Sequence, residues 1–299
     1  MTTIVEDVEQ QKVRKEPVKK GCPYWMGLIP CTLLLVADVL ACYFFVDRQK
    51  AEWYFPIFAY VYGGLCLGWW LFLTVYRIVT YGSCGFYDIY WFCNMGLLLT
   101  GIGCFLRLPT LLGQSMCLLF FPHSTFWLDC GLYPCFHKGI TNTYSYMFDK
   151  AIPIFEKITS LHHVWYFPGI LLVIWKQPLL SIWSYVFSIL LFIALITNGY
   201  YLTPLEAPTK EGTMRYLNVC LAHEYPTFVR NIPPFKWTIG KPFFFHCLCI
   251  TVSYIIPVNF ITYLIIIGIQ KLILLSSVSC ANASCQQTTV FHINKPITI

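Results

Sequence analysis

The sequence predicts an all-α fold, a polytopic helical membrane bundle of about seven transmembrane helices with the N-terminus in the cytoplasm. Three observations carry that prediction. Hydrophobic residues make up 57% of the chain and charged residues 11%, with a mean hydropathy of +0.61. A soluble domain carries about 25% charged residues to keep its surface wet, so lipid has to be the main solvent here. The apolar residues gather into runs close to the roughly 20 residues that a helix needs to cross the hydrocarbon core. The lysines and arginines are shared unequally between the two sides of those runs.

Backbone polar groups find no water in lipid, so spanning segments close their hydrogen bonds as helices or as closed barrels. Barrel strands alternate apolar and polar residues over about ten positions, and the runs here are unbroken, which excludes a barrel.

The chain opens with a polar leader, residues 1–25. It holds five of the 20 Lys and Arg (Lys12, Arg14, Lys15, Lys19 and Lys20) mixed with Glu6, Glu9 and Glu16. So short a mixed cluster beside an apolar run reads as the basic flank of a membrane helix, not as a nucleic-acid site. The first apolar run exceeds the roughly 7–15 residues of a signal-peptide core, so it is expected to stay as an anchor. A transmembrane domain at 26–275 follows, with spans near 26–46, 54–79, 84–106, 108–128, 160–175, 179–202 and 242–268, and then a tail, 276–299. The third and fourth spans are nearly contiguous, so a tight helical hairpin is expected around Arg107 and Pro109. Pro122, Pro168 and Pro257 lie within spans, where each removes a helical hydrogen bond and kinks its helix.

With the N-terminus inside, the cytoplasmic side carries fourteen Lys and Arg and the opposite side six. Cytoplasmic loops are the basic ones, which favours this orientation. It leaves the tail lumenal or extracellular, in the endomembrane system or at the plasma membrane. The tail holds the sequon Asn282-Ala283-Ser284. Cys280 and Cys285 flank it and are positioned for a disulfide in an oxidising compartment. Most of the 15 cysteines sit in apolar runs as small hydrophobes, and no paired CxxC pattern marks a zinc site.

Polar side chains inside spans are costly and are therefore functional candidates. Asp38 lies near the middle of the first span and calls for a hydrogen-bond donor from another helix or a role in proton or solute handling. The third span contains Asp88, Cys93 and Asn94, and Cys93 and Asn94 are close enough around the helix to border one cavity. The fourth carries Gln114, Thr125 and Asp129 on one wide stripe, with His123 nearly opposite. The fifth opens with His162 and His163, at about the depth of Asp88, Asp129 and Asp149. An imidazole beside a carboxylate acts as a general base, and beside Cys93 it raises the thiolate fraction. Adjacent residues do not share a helix face, so at most one of the two histidines is expected to be catalytic. For the same reason no metal site is expected, and no cofactor is implied. Asn198, His246 and Asn259 read as packing hydrogen bonds.

Two stretches, Phe92-Cys93-Asn94-Met95-Gly96-Leu97 and Leu161-His162-His163-Val164 with the later Ile174-Trp175-Lys176, resemble the YwaF-like seven-helix integral membrane proteins. That family includes an animal branch linked to acyl transfer between phospholipids. The animal branch has Asn-Pro-Cys-His where this chain reads Phe-Cys-Asn-Met. The same stretches are similar to uncharacterised bacterial membrane proteins with a Cys-Asn third span and a Ser-Leu-x-His fifth span. The first resemblance implies a lipid-remodelling acyltransferase or transacylase acting on membrane lipids, with Cys93 as acyl acceptor, His163 as its base, and His162 and Asn94 in the same site. Asp88, Asp129 and Asp38 are the supporting polar residues.

A small-solute or ion carrier built on Asp38, and a non-enzymatic assembly protein, are the alternatives. A G-protein-coupled receptor is disfavoured, because the orientation is reversed and the Asp-Arg-Tyr and Asn-Pro-x-x-Tyr elements are absent. The motifs of nucleotide-binding, zinc-protease and serine-hydrolase enzymes are also absent.

Overall fold

The computed structural model describes the backbone of residues 24–293 apart from 138, 140, 142, 143, 151 and 226; side chains are described over the same stretch except 24–28, 31, 145, 227, 228 and 277–293. The leader up to residue 23 lies outside the described residues. The sequon at Asn282 and the Cys280 and Cys285 pair fall on side chains outside them.

The molecule is mostly helical. Helix α1 spans Tyr24–Ala41 and ends in a wider turn, Cys42–Val46. Helix α2 is Pro56–Tyr81, α3 Phe92–Leu106 and α4 Pro109–Phe136. After the short α5, Ile154–Thr159, come α6, His162–Val173, and α7, Ile182–Leu202. Two short helices, α8 (Thr227–Arg230) and α9 (Phe235–Thr238), precede α10, Phe243–Ile250. The long α11, Ile256–Ile293, follows α10. Among the described residues, three segments are long and apolar enough to cross a membrane: Pro56–Tyr90, Ile182–Leu202 and Phe243–Ser276.

Two details depart from the sequence reading. The fold is not purely helical, because β1, Glu206–Pro208, pairs antiparallel with β2, Met214–Tyr216. The expected third span, 84–106, does not open as an α-helix. Gly82–Tyr90 winds as a tighter 3₁₀ segment, and Trp91 breaks it with extended backbone (φ −58°, ψ 138°), so α3 begins at Phe92. The break leaves Cys93 and Asn94 in the first turn of a helix, where the chain enters the bundle.

The α3–α4 hairpin is as tight as the sequence implies. Arg107 takes a left-handed conformation (φ 59°), the Leu108 amide returns to the Gly103 carbonyl at 2.9 Å, and Pro109 starts α4. Proline at the first helical position lacks an N–H that would be unpaired there anyway. Asp47 caps the same helix, accepting the Thr110 amide at 3.1 Å and the Thr110 hydroxyl at 2.7 Å.

Helix α4 is the buried axis of the bundle. Its ten consecutive residues Thr110 to Leu119 are all buried. One side meets α1, where the Gln114 amide donates to Asp38 at 2.7 Å. Another meets α3 and α6 through a chain of hydroxyls, Ser115 to Thr100 at 2.9 Å and Thr100 to Tyr166 at 2.7 Å. In an apolar medium such bonds hold helices together because no water replaces them. Asn259 does the same by donating to Ser188 at 2.9 Å, and His246 meets the Leu221 carbonyl at 2.9 Å.

Candidate functional site

Three segments converge at one end of the bundle. The first turn of α3 supplies Cys93 and Asn94, the first turn of α6 supplies His162 and His163, and the middle of α4 supplies His123. The Cys93 sulfur and one ring nitrogen from each of His162 and His163 all lie within 4.8 Å of one another. Cys93 is only partly buried, while His162 and His163 are buried.

The α6 N-terminus sets the histidine geometry. The chain turns at Ser160 and Leu161, and the His163 amide bonds the Ser160 carbonyl at 3.1 Å. In that turn the two imidazoles lie side by side, their centroids 4.2 Å apart and planes 34° apart. The His162 Nδ1 faces the Thr159 carbonyl at 2.7 Å, and a carbonyl only accepts, so Nδ1 carries the proton and donates it. Nε2 is then a free lone pair, held in orientation by the other ring nitrogen's bond. His163 is stacked on Phe126 (5.0 Å, 19°) and meets Tyr144 edge-on at 5.6 Å.

His123 completes the group. Its centroid is 4.2 Å from that of His163 and 5.9 Å from that of His162. Four buried ring nitrogens in this cluster lack a hydrogen-bond partner among the described residues: both of His123, Nε2 of His162 and Nδ1 of His163. Leaving a buried polar atom unpaired costs about 1–3 kcal/mol, so four of them together mark this cluster as a candidate site.

Asn94 joins the site through its carbonyl oxygen, 3.9 Å from the Cys93 sulfur, while its amide donates to the Asp88 carbonyl at 2.5 Å. The Asp88 carboxylate accepts from Arg215 at 2.9 Å and lies 3.7 Å from Arg77. Arg215 is delivered by strand β2, opposite Ala207. On the other flank, the Tyr146 hydroxyl meets that of Ser160 at 2.5 Å. Tyr146 also lines a cleft of about 500 Å³ with Tyr133, Phe148, Asp149 and Lys150.

Of the residues singled out from the sequence, Cys93, Asn94, His162 and His163 are brought together, with Asp88 one hydrogen bond away. Asp129 and Asp38 are engaged elsewhere. Asp129 accepts the amide and hydroxyl of Thr141 at 3.0 and 2.6 Å, and Asp38 takes Gln114.

Two expectations are revised. Neighbouring histidines on a helix were expected to diverge, yet at a first turn approached by another helix end both reach the Cys93 sulfur. His123 was expected to stand apart from its helix's polar stripe. It does part from Gln114, which bonds Asp38 of α1, but its own face is covered, because its ring packs against His162, His163, Tyr166 and Phe167 of α6. His123, Thr159 and Arg77 are the residues that sequence reasoning missed. The usable signal for His123 was depth, since it and the His162–His163 pair lie toward the same ends of antiparallel runs.

No protein-family model, no curated protein and no solved structure matches this chain.

Proposed function

We propose that this chain is a multi-pass membrane enzyme that transfers acyl groups between membrane lipids through a Cys93 thioester. The observation that carries the reading is the convergence of the Cys93 sulfur with the ring nitrogens of His162 and His163 within 4.8 Å. The resemblance of the same two stretches to the YwaF-like family points in the same direction.

The chemistry follows from the residues. His162, whose Nδ1–H donates a hydrogen bond to the Thr159 carbonyl, takes the Cys93 thiol proton at Nε2. His162 is therefore better placed as the base than His163, the residue the resemblance suggests. The thiolate attacks a lipid ester carbonyl, a C–S bond forms, the C–O bond breaks, and the leaving alkoxide takes the proton from imidazolium. In the second half the hydroxyl of an acceptor lysolipid gives its proton to His162 and attacks the thioester. The C–O bond forms, and the sulfur leaves and is reprotonated. A covalent intermediate splits one hard step into two easier ones. Donor and product are both esters, so the exchange is nearly balanced and needs no nucleotide.

The topology belongs to the same proposal: seven spans, N-terminus cytoplasmic, tail lumenal or extracellular, and the cysteine–histidine site in the cytoplasmic half. Its support is the charge asymmetry together with a helix in each of the seven apolar runs. A carrier would be favoured by a buried ion pair at Asp38, but Asp38 is bonded to the neutral amide of Gln114.

The test is acyl exchange between labelled phospholipid and lysophospholipid in vesicles reconstituted with the purified chain. Cys93→Ala is expected to abolish exchange. Full activity in that variant overturns the reading.

A further inference from the structure

A thiol and one imidazole suffice for acyl transfer, yet the site holds three imidazoles. Three donors, Cys93 Sγ and one ring nitrogen each of His162 and His163, stand within 4.8 Å of one another on two separate helix starts. The nitrogens that His162 and His163 leave unpaired are Nε2 and Nδ1, both buried. The opposite nitrogen of His162 is anchored on a backbone carbonyl, the outer hydrogen bond that orients metal-binding histidines.

We infer that Cys93, His162 and His163 bind one transition-metal ion of the zinc class. The donor set decides the class. Calcium and magnesium take oxygen ligands, and none is in this set. Thiolate and imidazole suit borderline to soft ions, and three protein ligands leave a fourth position open on a tetrahedral ion. His123 stands beside His163, 4.2 Å between ring centroids, with both of its nitrogens buried and unpartnered among the described residues.

This inference deepens the acyl-transfer reading in that it uses the same sulfur, but it does not need that chemistry. An ion on Cys93 engages the thiolate that would form the thioester, so occupancy holds the transfer step off and removal of the ion releases it.

The experiment uses the purified full-length chain in lipid nanodiscs, stripped with chelator and titrated with Zn²⁺ and, separately, Co²⁺. The wild-type protein is expected to take up one Zn²⁺ per chain and to show sulfur-to-cobalt charge-transfer absorption. Bound Zn²⁺ is expected to slow alkylation of Cys93, read by peptide mass spectrometry, at least about tenfold relative to Cys135, which is exposed. Cys93→Ser should remove the charge-transfer band. His162→Ala and His163→Ala each remove a direct ligand, so each should weaken Zn²⁺ binding by more than the roughly 10–100-fold that loss of an outer-shell partner costs. The protection measurement needs no variant, so misfolding of a mutant does not blur the result. Unprotected Cys93 in the wild type, or a charge-transfer band that survives Cys93→Ser, overturns the metal site. Acyl exchange is measured on the same stripped sample, so loss of the acyl-transfer reading with metal binding intact, or the reverse, is seen directly.

Discussion

The Arg77 guanidinium donates to both carboxylate oxygens of Glu156, at 2.9 and 2.8 Å, and through that pair α2 holds the segment that leads into the histidine helix. The same arginine reaches the Thr159 hydroxyl at 3.3 Å and lies 3.7 Å from Asp88, whose carbonyl takes the Asn94 amide. Tyr81 adds its hydroxyl to Glu156. One side chain thus ties the approach to Cys93 to the approach to His162.

Arg77→Ala is expected to lower stability by about 1–3 kcal/mol. That range lies between a solvent-exposed pair and a fully buried one, because both partners keep some exposure. It should also cut acyl exchange more than the stability loss explains, by separating Cys93 from the histidines. Arg77→Lys should restore little, since one ammonium on Glu156 cannot also reach Thr159 and Asp88, which the other guanidinium nitrogens face. Thermal unfolding in detergent and exchange rates on the same samples check both statements. Full activity in the lysine variant would show that the contacts to Thr159 and Asp88 are dispensable.

The two histidines should separate in kinetics. With Nδ1 committed to Thr159, His162 presents the lone pair that accepts the thiol proton. His162→Gln is therefore expected to lower the turnover rate about 10²–10⁴-fold, the usual contribution of a general base, with little change in substrate KM. His163→Gln should lower it less, because His163 packs against Phe126 and Tyr144. A larger loss at His163 would reverse the assignment of the base.

The helical class, the α3–α4 turn and the packing roles of Asn259 and His246 were legible in the sequence because each rests on local chemistry: apolar length, a Pro after a break, a lone polar group among aliphatics. The pairing of Cys93 with His162 and His163 was legible as residue types at matching depth. What was not legible depends on neighbours. Rotation about α4 separates His123 from Gln114, but only the packing shows that both side chains are buried. The 3₁₀ segment before Trp91 was read as helix because its residues Phe86, Tyr87, Ile89 and Tyr90 are as apolar as a span. Arg77 sits at the end of the second apolar run, and its partner Glu156 lies 79 positions away, beyond any local pattern.

Asp47 offers a test of the cap on α4. Its carboxylate accepts from the Thr110 amide and hydroxyl, which pairs a first-turn amide that the helix itself leaves without a partner. Burial pushes this carboxyl above its ordinary value of 3.8. The folded protein therefore holds the proton more tightly than the unfolded chain. The stability from this group is fullest below 3.8 and declines as pH rises through the raised value. Asp47→Ala is expected to cost about 1 kcal/mol, the usual loss for a cap. Asp47→Asn keeps an acceptor for Thr110 without the charge, so it should stay close to wild type and lose the pH slope. Unfolding measured at mildly acidic and neutral pH checks this. An Asn variant as unstable as the Ala variant would mean that the charge itself carries the cap.

Gly169 decides how closely α6 approaches α2. A Cβ at this position would fall 2.0 Å from Cε2 and 2.4 Å from Cζ of Tyr62, inside the ring's own space. The Tyr62 hydroxyl donates to the Tyr166 carbonyl at 2.5 Å, and the Tyr166 hydroxyl in turn meets Thr100, so the ring has no room to retreat without releasing α6 from its neighbours. Gly169→Ala is therefore expected to destabilise by about 1–3 kcal/mol, the range for overpacking a filled core. Because α6 begins at His162 and His163, the shift should carry into acyl exchange as well. Tyr62→Ala opens the space but loses the ring's packing and its hydrogen bond, at about 3–5 kcal/mol. If the clash is the cause, adding Gly169→Ala to Tyr62→Ala should cost clearly less than it does in the wild type. A coupling energy of about 1 kcal/mol or more in the double-mutant cycle is expected. Strict additivity would mean that the two side chains do not meet, and that the position of the histidine helix is set by other contacts.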